Sequence, residues 1–214
     1  MKTVSIQDAM PATTSSTTRE TTLSHLATSA IYTVVTILLL GIAYPLAMTG
    51  IASVVFPHQA NGSLVTVGGK IIGSEIVGQL WKKPQYFTGR PSAAGKNGYD
   101  PTATGGTNLA PTSKKLIDAT KATIAALRKA NPNTTRPLPM DLVTSSASGI
   151  DPDISPEAAA YQAQRIADLR HTTLAKIDEL IAAHVRGREF AVLGEPHVNV
   201  LELNLALDGI SPKY

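Results

Sequence analysis

Residues 31–55 read IYTVVTILLLGIAYPLAMTGIASVV, and this run decides the architecture. At about 1.5 Å per residue it makes roughly 37 Å of helix, enough to cross a hydrocarbon core of about 30 Å with some tilt. No Asp, Glu, Lys or Arg lies between Glu20 and Lys70. The reading is therefore a single transmembrane helix over residues 26–56, behind a Thr/Ser-rich N-terminal extension over residues 1–25. A soluble core helix of this length would carry charge on one flank. A cleaved signal sequence would have an apolar stretch of only about 7–15 residues behind a basic start, whereas here Lys2 and Arg19 are set against Asp8 and Glu20. Lys2 and Arg19 on one side and Lys70 on the other are too evenly matched for flanking basic charge to fix the orientation.

Pro45 interrupts the run. Lacking an N–H, it leaves the Gly41 carbonyl without its helical donor and crowds the preceding turn, so a kink is expected between Gly41 and Pro45. Thr36, Ala43, Ala47 and Gly50 recur at spacings of seven, four and three, which puts small residues on one stripe. Such a stripe lets a second backbone approach closely, as associating membrane helices require.

Working outward, 19 Lys and Arg with 16 Asp and Glu among 214 residues make the chain 16% charged, against roughly 25% in an average soluble domain. Only Lys2, Asp8, Arg19 and Glu20 fall before residue 57, so the deficit belongs mainly to the anchor, and residues 57–214 have the composition of one folded domain. The absence of Cys excludes disulfides, thiolate metal sites and cysteine nucleophiles. A formal charge of +3 with no dense basic cluster argues against nucleic acid as a partner.

In residues 57–214, SLVTV and KIIG flank Gly68-Gly69 and predict a hairpin with a primed turn. From Trp81 to Thr112 four prolines and many Gly, Asn, Ser and Thr predict a long loop, with Trp81, Tyr86, Phe87 and Tyr99 as anchors. Lys114–Ala130 reads as an amphipathic helix stopped by Asn131-Pro132. Ser155-Pro156-Glu157 starts another, running to about Arg170. Thr172 or Thr173 caps a third, striped by Leu174, Ile177, Leu180, Ile181 and Val185 and ended by Gly187. Val198–Leu207 (VNVLELNLAL) alternates well enough to be read as a strand with a bulge at Val200-Leu201. The fold class expected is one N-terminal transmembrane helix followed by a small α+β domain.

Reactive chemistry is hard to find. Gly68-Gly69-Lys70 is followed by Ile71 and has Leu64 where a phosphate-binding loop needs glycine. The five histidines lack paired spacing, so no metal site is expected. Asp151, Asp153 and Glu157 are separated by Pro152 and Pro156 and read as a turn and helix start rather than a calcium loop. TSSASG around Ser146 lacks the first glycine of a nucleophile elbow. The residues do not support an enzyme. They leave open an assembly subunit, a membrane-anchored extracytoplasmic enzyme or a stand-alone binding module.

Four phrases are more definite: GSEIVGQLWKKPQYFTGRPSA (73–93), YDPTATGGTNLAPTSKKL (99–116), DLVTSSASGIDPDISPEAAAYQAQRIA (141–167) and LGEPHVNVLELNLALD (193–208). In this order, behind one helix with YPL in its second half, the chain closely resembles the C subunit of the Kdp-type potassium-transporting ATPase. The resemblance spans Tyr44 to Asp208 and omits the N-terminal extension. It implies a non-catalytic subunit of a high-affinity potassium import pump, partnered by a channel-like potassium-translocating subunit and a P-type ATPase subunit in the inner (cytoplasmic) membrane. It implies an inside N-terminus and an extracytoplasmic C-terminal domain. It also implies a catalytic chaperone that raises the ATP affinity of its partner, with no tightly bound cofactor of its own and ATP met through the complex. The glutamine that the resemblance links to nucleotide corresponds to Gln162. On position alone Gln162 reads as a solvent-facing helix residue, and the resemblance implies that Asp153 and His197 are dispensable.

Overall fold

The computed structural model describes residues 21–210. The Thr/Ser-rich extension assigned to residues 1–25 lies, up to residue 20, outside the described residues. The chain divides into two compact units, residues 1–55 and 56–214.

The described part of the first unit is a helix over Thr22–Val55, 34 residues long and apolar enough to cross a membrane. It consists of α1 (Thr22–Thr36), a π-helical turn (Ile37–Ala43) and α2 (Tyr44–Val55). The π turn sits where Pro45 was expected to perturb the helix. The Tyr44 N–H reaches back five residues to Leu39 O, widening the coil just ahead of the proline. Hydroxyl donors are satisfied inside the helix: Thr33 Oγ1 donates to Ser29 O, Thr49 Oγ1 to Pro45 O and Ser53 Oγ to Thr49 O, each at 2.8 Å. This is the solution a low-dielectric surrounding requires.

The second unit opens with α3 (Pro57–Ala60) and an antiparallel hairpin, β1 (Leu64–Val67) and β2 (Lys70–Ser74). Gly68 and Gly69 have φ of 56° and 78°, the paired left-handed conformation of the primed turn read from the sequence. No helix or strand interrupts residues 81–112. Then come α4 (Lys114–Ala130), β3 (Asp153–Ile154), α5 (Pro156–Leu169), α6 (Leu174–Ala183), β4 (Val198–Asn199) and α7 (Val200–Leu207), with β3 and β4 antiparallel. Thr173 is the cap that α6 uses, its side chain accepting from the Lys176 N–H, and α6 ends at Ala183, short of Val185 and Gly187.

The predicted strand over Val198–Leu207 is corrected: only Val198 and Asn199 are extended, and the rest is α7. Asn199 Oδ1 accepts from the N–H groups of Leu201 and Glu202 at 3.1 and 3.2 Å, a cap that starts a helix. The apparent bulge at Val200-Leu201 is the helix start. Val200 and Leu203 enter the main core with Phe87, Ile166 and Ile177, while Leu201 and Leu205 pack with Val65 in a smaller cluster. A helix covered on two sides shows no polar face, so its sequence imitates a strand. Conversely, α4 has no fully buried residue, and of its predicted apolar face Ile117 is 41% exposed while Leu127 packs on the core.

Candidate functional site

The site grows from α5. Ser155 Oγ accepts from the Ala158 N–H at 3.0 Å, Pro156 occupies the first turn and Glu157 faces the positive helix end. This start fixes a helix that buries Ala158, Ala159, Tyr161, Gln162, Ala163, Ile166 and Ala167. Gln162 lies in the middle of that apolar stripe and is fully buried, which overturns its reading as a solvent-facing residue. An amide there stays only if its hydrogen bonds are made.

They are all made. Gln162 Oε1 accepts from Thr88 N–H, Thr88 Oγ1 and Arg165 Nη2, each at 2.9 Å. Gln162 Nε2 donates to Thr88 O at 3.1 Å and Ala158 O at 3.3 Å. Asn204 of α7 treats the preceding residue in the same way, Oδ1 accepting from Phe87 N–H at 2.8 Å and Nδ2 donating to Phe87 O at 3.0 Å. Arg165 donates to Tyr86 O from both terminal nitrogens at 3.2 Å, and its Nε donates to Asn131 Oδ1 at 2.9 Å. Burial pushes the Arg165 pKa below its ordinary value.

Above these residues is a cleft of about 590 Å³, walled by Trp81–Pro84 and Thr88 on one side and by the end of α4 through Asn133 on the other, with Gln162, Arg165, Asp168 and Leu169 between them. Lys82, Lys83 and Lys129 join Arg165 against the single carboxylate of Asp168, so the charged lining of the cleft is mainly cationic. The Trp81 wall is braced by Tyr86, whose ring centroid is 5.0 Å away. The Tyr86 hydroxyl donates to Asp208 at 2.7 Å, Arg170 pairs with Asp208 at 2.7 Å and also covers the Tyr86 ring. The Asp208 hydrogen bond, with burial, raises the Tyr86 pKa.

A nucleotide contact through Gln162 does not fit this geometry. Two donors and a carbonyl oxygen are the whole capacity of an amide, and protein groups use it up. The remaining sequence candidates lie elsewhere. Asp151 pairs with Arg90 at 3.1 Å and accepts from the Asp153 N–H, as expected of a turn. Asp153 lies 4.0 Å from His197, and no group of three metal-ligating side chains occurs among the described residues. In the helix, Ala47 and Gly50 lie in α2, and Ala43 is the last residue of the π turn that precedes it. The π turn inserts itself between Thr36 and Ala43 and rotates Thr36 off the predicted stripe.

Sequence reasoning missed Thr88, Arg165, Asn131 and Asn204. The signal was present in two of them: Arg165 follows Gln162 by three residues on one helix face, and Asn204 stands between Leu203 and Leu205, positions at which a polar residue needs a partner.

A model of the family described as K+-transporting ATPase, c chain (KdpC), matches residues 26–209. A potassium-transporting ATPase KdpC subunit from Methylococcus capsulatus is 47% identical over 188 residues, covering 88% of this chain and 99% of that protein. KdpC subunits from Dechloromonas aromatica and Acidobacterium capsulatum are each 50% identical, over 80% and 87% of this chain and 90% and 98% of their own lengths.

Proposed function

The chain belongs to the KdpC family, the c chains of K+-transporting ATPases, and from this membership we propose that it is the non-catalytic subunit that assembles and stabilises an ATP-driven potassium import complex. In this reading its N-terminus is on the cytoplasmic side of the membrane and residues 57–214 are on the extracytoplasmic side, near the ion entrance. The stripe of Ala43, Ala47 and Gly50, with Thr36 at its margin, packs on the channel-like potassium-translocating subunit. The P-type ATPase subunit is the second protein partner, and lipid covers the rest of the helix. The chain acts as a catalytic chaperone, raising the ATP affinity of the ATPase subunit while holding no nucleotide tightly itself.

One observation carries this reading: the family match takes in both the uncharged helix and nearly all of the second unit, so the resemblance is to a whole subunit rather than a shared module. The test is purification of the membrane complex with and without this chain, followed by potassium-stimulated ATPase assays over a range of ATP. The expected result is loss of intact complex, or a raised KM for ATP, when the chain is missing. Full assembly with an unchanged KM would overturn the proposal.

A further inference from the structure

Residues 186–197 form a small antiparallel arm outside the named strands. Arg186 and His197 exchange backbone hydrogen bonds at 2.8 and 3.0 Å, and Glu189 and Leu193 exchange two more at 2.9 Å. Arg188 pairs with Glu195 across the stem at 2.6 Å, and Arg186 pairs with Glu202 of α7. The tip reads Phe190-Ala191-Val192-Leu193 and is apolar throughout. Phe190 is 87% exposed, Val192 71% and Leu193 59%, and Phe190 and Val192 are the most exposed large hydrophobic side chains among the described residues of the second unit. Tip N–H groups are already used inside the arm: Ala191 donates to Arg188 O and Val192 to Glu189 O, each at 3.1 Å. The tip can therefore leave water without orphaning these donors. It is also held under strain. Phe190 and Ala191, the central residues of this turn, have φ of 50° and 63°, a pairing that Asn-Gly normally fills. Strain of this kind persists where a particular presentation of side chains is being kept.

We propose that this tip is a protein-docking finger: Phe190, Val192 and Leu193 insert into an apolar pocket on another subunit of the complex. The inference rests on the assembly role proposed above and adds a contact in the second unit to the one in the membrane helix. Two observations favour a protein pocket over a lipid surface. Within residues 186–197 two Arg are balanced by two Glu, and both Arg are ion-paired, so the arm carries no excess cation of the kind that draws a segment to anionic headgroups. The stem is doubly bridged and its turn is fixed. Such preorganisation lowers the ordering cost of entering a shaped pocket, whereas fluid hydrocarbon returns nothing for a fixed shape. An aromatic at the apex of an apolar patch also suits the central anchor of a protein interface.

The test separates the fold from the interface. Phe190→Asn with Ala191→Gly supplies the residues that the turn backbone prefers while removing the apex, so the isolated full-length chain in detergent should gain about 2–4 °C in Tm. Recovery of the other subunits through this chain should fall about tenfold. Val192→Ser, which leaves the turn as it is, should cut recovery in the same direction with Tm unchanged. A photoreactive benzoylphenylalanine substituted for Phe190 in the assembled complex should form an adduct with one protein subunit, located by mass spectrometry. An adduct to lipid alone, or none, would overturn the docking finger, as would undiminished recovery in both variants. A lower Tm in the Phe190→Asn, Ala191→Gly chain would also overturn it, because the tip would then be holding up its own domain. A wild-type chain that recovers no other subunit would sink the assembly role and the finger with it, whereas wild-type recovery without an adduct at Phe190 sinks the finger alone.

Discussion

Arg165 Nε donates to Asn131 Oδ1 at 2.9 Å, and this one bond joins the middle of α5 to the residue that ends α4. Asn131 is itself buried and returns a bond from Nδ2 to Leu127 O at 2.9 Å. The guanidinium reaches Asn131, Tyr86 and Gln162 at once because its donors are spread in a planar fork, which an ammonium cannot reproduce. Arg165→Lys should therefore cost about 2 kcal/mol and lower the Tm by about 5 °C. Faster amide exchange at Asn131 should accompany it, because the end of α4 is no longer tethered. Lys129→Ala, at an exposed neighbour, should stay within about 0.5 kcal/mol of wild type. Equal Tm values for the two variants would show that the bond does not hold α4.

How far such relationships were legible in the sequence depended on how local their causes are. The hairpin turn, the Ser155 and Thr173 caps and the Asn131-Pro132 stop are written in neighbouring residues, so they could be read directly. The side-chain amide bonds join residues 117 apart for Asn204 and Phe87 and 74 apart for Gln162 and Thr88, and no periodicity announces them. Val200–Leu207 failed for a related reason. Helix and buried strand differ in sequence through their exposed faces, and this segment exposes almost none.

Gly78 packs under Tyr99, and a Cβ added there would lie 2.5 Å from both Asp151 O and the Tyr99 ring. One neighbour is backbone and the other is a ring held by its own hydrogen bond to Arg90 O, so neither can yield freely. Gly78→Ala should cost about 1–3 kcal/mol through overpacking, read as a lower midpoint in urea unfolding with an unchanged m value. A midpoint equal to wild type would mean that the loop over residues 81–112 is softer than its contacts imply.

Tyr99 also gives a pH signature. Burial pushes its pKa up from 10.0 to about 12, with the Asp151 charge adding to the effect and Arg90 opposing it. The native protein therefore keeps the phenol protonated where the unfolded chain has begun to ionise. The stabilisation is complete below pH 10, and it is lost as pH rises from 10 toward 12. Spectrophotometric titration near 295 nm should show a late tyrosinate phase in the folded protein, to which Tyr86 also contributes, and Tyr99→Phe should remove one tyrosine's worth of absorbance from its latest part. A Tyr99→Phe titration identical to wild type would refute the assignment.

The π turn makes the membrane helix testable position by position. Ala47 and Gly50 lie in the regular part of α2, and a Cβ added at Gly50 would meet nothing within 4 Å. The space around Gly50 leaves room for a partner to approach, and a larger residue would obstruct it. Ala47→Leu and Gly50→Leu should therefore reduce recovery of the channel-like subunit when the complex is purified through this chain, while the helix content of the isolated chain stays constant. Thr36→Leu is the internal control: the widened coil between Thr36 and Ala43 turns position 36 away from the others, so its effect on recovery should be smaller. Equal losses from all three positions would mean that a partner surrounds the helix rather than packing on one face. No loss from Ala47→Leu or Gly50→Leu would remove the stripe as the docking surface.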